Sequence, residues 1–92
     1  MAMAAEGWLA FDIGGRTHTW AWQAGDRVEC GTVDNTPEAV RALLQKRIRQ
    51  VGRLRVLAEA TGIYHLDVVL LADELGAEVM VINPKAAHHF AL

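Results

Sequence analysis

Two carboxylates stand out by their surroundings. Asp12 lies at the end of the apolar stretch that starts at Trp8, and Ile13-Gly14-Gly15 follows it. Glu59 closes Val56-Leu57-Ala58 and is followed by a small-residue turn, Ala60-Thr61-Gly62. An acid at the C-terminal tip of a buried strand stands where open α/β sheets keep their ligand sites. Two such acids side by side would offer hard oxygen ligands to Mg²⁺ or Mn²⁺. A pair of these ions about 3.5–4 Å apart activates a water or hydroxyl and stabilises the leaving oxygen of a phosphodiester. Either acid alone would pass as an ordinary turn or cap residue, so the chemistry depends on the two tips being neighbours.

The elements that would place them follow from periodicity. Trp8 to Ile13 reads as a strand, and Gly14-Gly15-Arg16 as a turn. From Thr17 to Gln23 the residues alternate, with Thr17, Thr19, Ala21 and Gln23 on one face and His18, Trp20 and Trp22 on the other, which is the period of a strand. Ala24-Gly25-Asp26 makes a hairpin connection into a third strand, Arg27 to Val33, where Val28, Cys30 and Thr32 share a face. Thr36 suits a helix cap, Pro37 the first helical position and Glu38 the positive end of the helix dipole. Val40, Leu43, Leu44, Ile48 and Val51 recur at helical spacing, and Gly52 is expected to end that helix. Leu54 to Ala58 reads as a central parallel strand. A second helix is expected from about Gly62 to Leu75, closed by Gly76, with apolar residues over more than half its circumference. Ala77 to Ile82 is the last strand, Asn83-Pro84 stops it, and Lys85 to Leu92 looks like a helix beginning. The order β-β-β-α-β-α-β is that of the ribonuclease H-like superfamily, an α/β class with a mixed sheet whose first and fourth strands are neighbours. Asp12 and Glu59 would then meet.

At this point the residues resemble a known family. Glu59-Ala60-Thr61-Gly62-Ile63-Tyr64-His65, then Val81-Ile82-Asn83-Pro84, resembles the N-terminal, RuvC-like domain of the DEDD insertion-sequence transposases, relatives of the pilin-gene-inverting recombinase. Phe11-Asp12-Ile13 with Arg16, and Asn35-Thr36-Pro37-Glu38, extend the resemblance over nearly the whole chain. It implies an Asp, a Glu and two further Asp residues that hold divalent metal for DNA strand cleavage and transfer. Asp12 matches the first and Glu59 the second; the other two would follow the helix only begun by residue 92. It also implies DNA as partner, a structured guide RNA in known systems, and a separate domain with a catalytic serine that cannot be placed here. Gly14-Gly15 departs from the family's small residue followed by lysine, which displaces the basic position to Arg16. Residues 1–92 are thus expected to form one partial domain, inactive in isolation.

The totals fit this reading. Hydrophobic residues make up 52% of the 92 and the net charge is -2, the composition of a globular chain rather than a disordered one. So apolar a short chain is expected to leave surface for a dimer or a missing segment. The single cysteine, Cys30, excludes an internal disulfide and a thiolate zinc cluster, and it reads as a small core residue. The N-terminus is not a signal peptide, and no apolar run is long enough for a membrane span, so a cytoplasmic protein is expected. Arg41, Lys46, Arg47, Arg49, Arg53 and Arg55 fall within fifteen residues that hold no acid. They form either a solvated face or a strip for DNA or RNA phosphates. Arg16, Thr61, Gly62 and His65 are further candidates for nucleic-acid contact. Thr61 and Gly62 also suit a helix cap, and Tyr64 a core position. His65 suits a surface role, as do the adjacent His88 and His89. Two other readings stand beside the transposase: an actin-like or sugar-kinase ATPase fragment, resting on Asp12-Ile13-Gly14-Gly15, and a non-catalytic dimerising remnant.

Overall fold

The computed structural model describes residues 4–59 and 65–82. The expected three-strand meander is present as β1 (Ala4–Asp12), β2 (Thr17–Ala24) and β3 (Arg27–Asp34). The helix α1 (Pro37–Ile48) leads into β4 (Val51–Glu59), and α2 (His65–Glu74) leads into β5 (Glu78–Ile82). The strands form one sheet of order β3-β2-β1-β4-β5. β1 runs antiparallel to β2 and parallel to β4, and β4 runs parallel to β5. The first and fourth strands are therefore neighbours, as the order of elements required.

The start of α1 is set by its sequence. The Thr36 side chain accepts a hydrogen bond from the Ala39 backbone N–H at 3.2 Å, and Pro37 occupies the first turn. Thr36→Ala should lower stability by about 1 kcal/mol, read as a shift of the chemical-denaturation midpoint at an unchanged slope. The end of α1 differs from expectation. The helix stops at Ile48, with Arg49 as its cap, and Gly52 lies inside β4. The exchange begins at Gln50, whose N–H turns back to the Arg47 carbonyl at 3.0 Å, and the chain then joins β1 through the pair Ala4–Val51. Val51 accordingly belongs to the strand and not to the helical stripe. Gly76 closes α2 at φ +88°, a left-handed conformation that glycine adopts without the penalty of a Cβ.

Both helices cover the same face of the sheet. Leu9, Phe11, Trp22, Val56 and Ala58 from the strands pack there against Val40, Leu44, Val68, Leu71 and Ala72 from the helices. Trp20 and Trp22 thus pack against a helix, and Arg47 of α1 stacks its guanidinium carbon 5.0 and 4.8 Å from their ring centroids. On the opposite face the strands present Trp8, Ala10, Asp12, Thr19, Ala21, Val28, Cys30, Leu57 and Met80, and no described helix covers them. The core reading of Cys30 is corrected here: it is exposed, because the strand alternation that turns Gly31 and Val33 inward turns Cys30 outward.

The uncovered face carries a charged cluster at its far end. Arg53 and Arg55 of β4 pair with Glu6 of β1 and Glu78 of β5. Hydrogen bonding from Arg53, supported by Arg55, holds the Glu78 carboxyl below its ordinary range. A depressed carboxylate contributes stability above its unfolded pKa and loses it as pH falls through the folded value. Glu78→Gln should therefore narrow the difference in melting temperature between pH 7 and pH 3, an effect that added salt weakens.

Candidate active site

The last pair in the parallel ladder between β1 and β4 is Phe11 with Ala58. One residue further on, Asp12 and Glu59 come abreast at the C-terminal ends of their strands, about 4.8 Å apart along the sheet. Phe11 and Ala58 are buried under the helices, so alternation sends Asp12 and Glu59 to the uncovered face. Thr19 pairs with Asp12 from β2, and Ile82 pairs with Glu59 from β5. An open cavity of about 330 Å³ takes both acids and Thr19 into its lining, over an apolar floor that includes Ala10, Ala21, Leu57 and Cys30. Neither acid is paired with a cation among the described residues.

This donor set fits Mg²⁺ or Mn²⁺. Both groups are anionic oxygen donors of the kind hard cations prefer, and they stand close together with no arginine or lysine paired to them among the described residues. Among the described residues no cluster of three or more His, Cys, Asp or Glu side chains gathers anywhere.

The loop after Asp12 is tightly held, by residues that the sequence reading left without a site role. The Gly14 N–H donates to His18 Nδ1 at 3.1 Å, and the other ring nitrogen of His18 meets Asn35 Oδ1 at 3.1 Å. Asn35 Nδ2 donates to the Gly15 carbonyl at 2.9 Å and the Gly14 carbonyl at 3.4 Å, while its backbone N–H donates to the Arg16 carbonyl at 2.9 Å. His18 is fully buried, and its ring meets Phe11 edge-on at 6.2 Å. The packing is close enough that a Cβ on Gly14 would come within 2.2 Å of the Thr17 carbonyl oxygen. The signal in the sequence was a histidine on the apolar face of a strand, with an asparagine immediately before a helix cap.

The basic candidates do not form one surface. Arg47 is 2% exposed; it donates to Glu29 at 3.2 Å and to Gln50 at 3.1 Å. It is therefore a core strut, which withdraws it from the phosphate strip: the stripe spacing of α1 brings it under the two tryptophans. Arg41 pairs with Glu74 of α2. Lys46 and Arg49 are exposed at the C-terminal end of α1, where cations complement the helix dipole. Arg53 and Arg55 are held by Glu6 and Glu78 toward the opposite end of β4 from Glu59. Arg16, exposed in the held loop, and His65, at the start of α2, lie at the carboxylate end of the sheet. Thr61, Gly62 and Tyr64 lie outside the described residues, as do Asn83-Pro84 and the histidines at 88 and 89.

A mixed sheet in this order, with acids at the tips of its two central parallel strands, defines a ribonuclease H-like fold. In keeping with that class, the chain is similar to the catalytic core domain of BIV integrase, with a TM-score of 0.53 and 15% identity over 88% of this chain. It spans 56% of that integrase chain, a likeness of fold. The profile of the IS110-type DEDD transposases, described as transposase, matches residues 9–92, and the chain belongs to this family. No curated protein matches it in sequence.

Proposed function

We propose that this chain is the part of a DEDD transposase that supplies the first two of its four catalytic acids, for metal-dependent DNA strand cleavage and transfer in transposition. The observation that carries the reading is the juxtaposition of Asp12 and Glu59, without a cationic partner among the described residues, at the tips of adjacent parallel strands. Asp12 and Glu59 hold Mg²⁺ or Mn²⁺, which when bound supplies Lewis-acid activation of the phosphodiester and of the attacking water or hydroxyl. The sheet's contribution is to fix both carboxylates from rigid strands, so that no loop has to order before the ligands converge. Arg16 meets a phosphate of the DNA beside them, and His65, at the start of α2, meets another; Thr61 and Gly62 are further candidates for contact. Lys46 and Arg49 provide weaker contacts to DNA or a guide RNA further off, and Arg41, Arg53 and Arg55 contribute only by giving up their carboxylates.

The remaining two acids follow residue 92 in the family pattern, so the isolated chain binds metal weakly and does not turn over. We place the protein in the cytoplasm, acting as a homodimer on the element ends and target. Among the described residues no helix is long and apolar enough to cross a membrane. Fluorescence anisotropy with labelled DNA tests the reading. Binding should weaken steeply with salt, strengthen with Mg²⁺ or Mn²⁺, and diminish in Arg16→Ala. Binding indifferent to both salt and metal would refute it, and strand cleavage by the purified chain would refute its inactivity.

A further inference from the structure

We propose that His18 and Asn35 are positioning residues for the two-carboxylate site: together they lock the Gly14–Arg16 loop and so fix where the Asp12 carboxylate and the Arg16 guanidinium stand. This rests on the reading of Asp12 and Glu59 as metal ligands. His18 brackets Asp12 from both sides along the chain. Its ring packs edge-on against Phe11, the residue before, and its Nδ1 accepts the N–H of Gly14, two residues after. Asn35 completes the hold by donating to three successive carbonyls, Gly14, Gly15 and Arg16.

The two side chains also fix each other. Because Nδ1 faces an N–H donor, the proton of neutral His18 sits on Nε2, which donates to Asn35 Oδ1. That leaves the amide nitrogen of Asn35 pointing at the Gly14 and Gly15 carbonyls. Every hydrogen-bonding position of the imidazole is thus committed inside a buried pocket, where a lost partner is costly. Neither residue touches the cavity that holds the acids, so the effect reaches the metal through the backbone. Partners that orient ligands in this way typically account for about 10–100-fold in metal affinity. Since Asn35 directly precedes the Thr36 cap, the same hold ties the site to the start of α1.

The test uses this 92-residue chain, with Mn²⁺ as probe and ¹H–¹⁵N NMR as readout. Local paramagnetic broadening at Phe11–Asp12 and Ala58–Glu59 reports occupancy, independent of any turnover. Asn35→Ala and His18→Leu should raise the Mn²⁺ concentration needed for half-broadening about tenfold. His18→Gln, whose amide carries both an acceptor and a donor, should recover much of the loss. Leu43→Ala, a half-buried α1 position away from the loop, lowers stability but should leave the Mn²⁺ response unchanged. Wild-type broadening that Asn35→Ala and His18→Leu leave intact overturns the positioning role and spares the two-acid reading. Absence of local broadening in the wild type overturns both. Should the variants not fold, the wild-type chain decides alone: a proton on Nε2 of His18 and slow exchange of the Gly14 amide support the lock, whereas a proton on Nδ1 overturns it.

Discussion

With Asp12 and Glu59 acting as proposed, replacing Glu59 by Gln in an active transposase that contains this domain is expected to remove DNA strand cleavage while leaving the fold as stable as before, or slightly more so. The amide keeps the shape of the side chain but loses the charge that a divalent cation requires from its ligand. A bound metal contributes several kcal/mol of transition-state charge stabilisation, so losing it should lower the rate at least about a thousandfold. Stability moves the other way because Asp12 and Glu59 are like charges abreast on adjacent strands, and like charges in that relation destabilise a sheet. Asp12→Asn should behave alike, and the double variant should be hardly slower than either single one, as expected of residues that act as a unit. The measurements are single-turnover cleavage in Mg²⁺ and a thermal melt of each variant. Retained cleavage in either single variant would remove that acid from the site. A fall in melting temperature would show that the carboxylate is structural.

The second large effect belongs to Arg47, and it concerns folding. Arg47→Ala should destabilise the chain by about 3 kcal/mol, a large share of the stability of a small domain. The substitution opens a void beside Trp20 and Trp22, removes two cation–π contacts and leaves Glu29 without its partner. Glu29 is 41% exposed and can be rehydrated, so most of the loss comes from packing. The native arginine is itself imperfectly satisfied, since its buried Nε has no acceptor among the described residues. Arg47→Met, which refills the space with apolar atoms, should therefore cost about 1 kcal/mol or less. Chemical denaturation distinguishes the two variants. The pair also has a pH signature. A hydrogen bond from Arg47 holds the Glu29 carboxyl below its ordinary range. Its contribution is present above the unfolded carboxylate pKa and is lost as pH falls through the lower folded value, so the acid side of the stability profile should flatten when Arg47 is replaced.

Arg47 also marks a limit of one-dimensional reading. Its neighbours along the chain, Lys46 and Arg49, are basic and exposed, so a charge count merges the three into one strip. Only the rotation of α1 over the sheet separates them. The loop after Asp12 was obscure for a similar reason. His18 and Asn35 are far from each other in sequence, and nothing local to either position signals that a histidine nitrogen and an asparagine amide will share one short loop. The end of α1 was misplaced because Gly52, a good helix stop by composition, was needed more as part of a strand. The parallel pairing of Val51–Glu59 with β1 overrode the local preference.

What the sequence determined by itself was the alternation of β2 and β3, the Thr36-Pro37 helix start, the Gly76 stop and the order of elements. These depend on neighbours a few residues apart, through backbone conformation and the periods of strand and helix. The placement of two carboxylates at the tips of apolar strands belongs to the same category. The tertiary structure alone decided that the two acids share one uncovered face, that Arg47 is buried while Lys46 and Arg49 are not, that Cys30 lies outside the core, and that His18 and Asn35 grip the loop between Asp12 and β2. Each depends on sheet register or on the rotation of a helix about its axis. A shift of one residue in either would send a side chain from one face to the other.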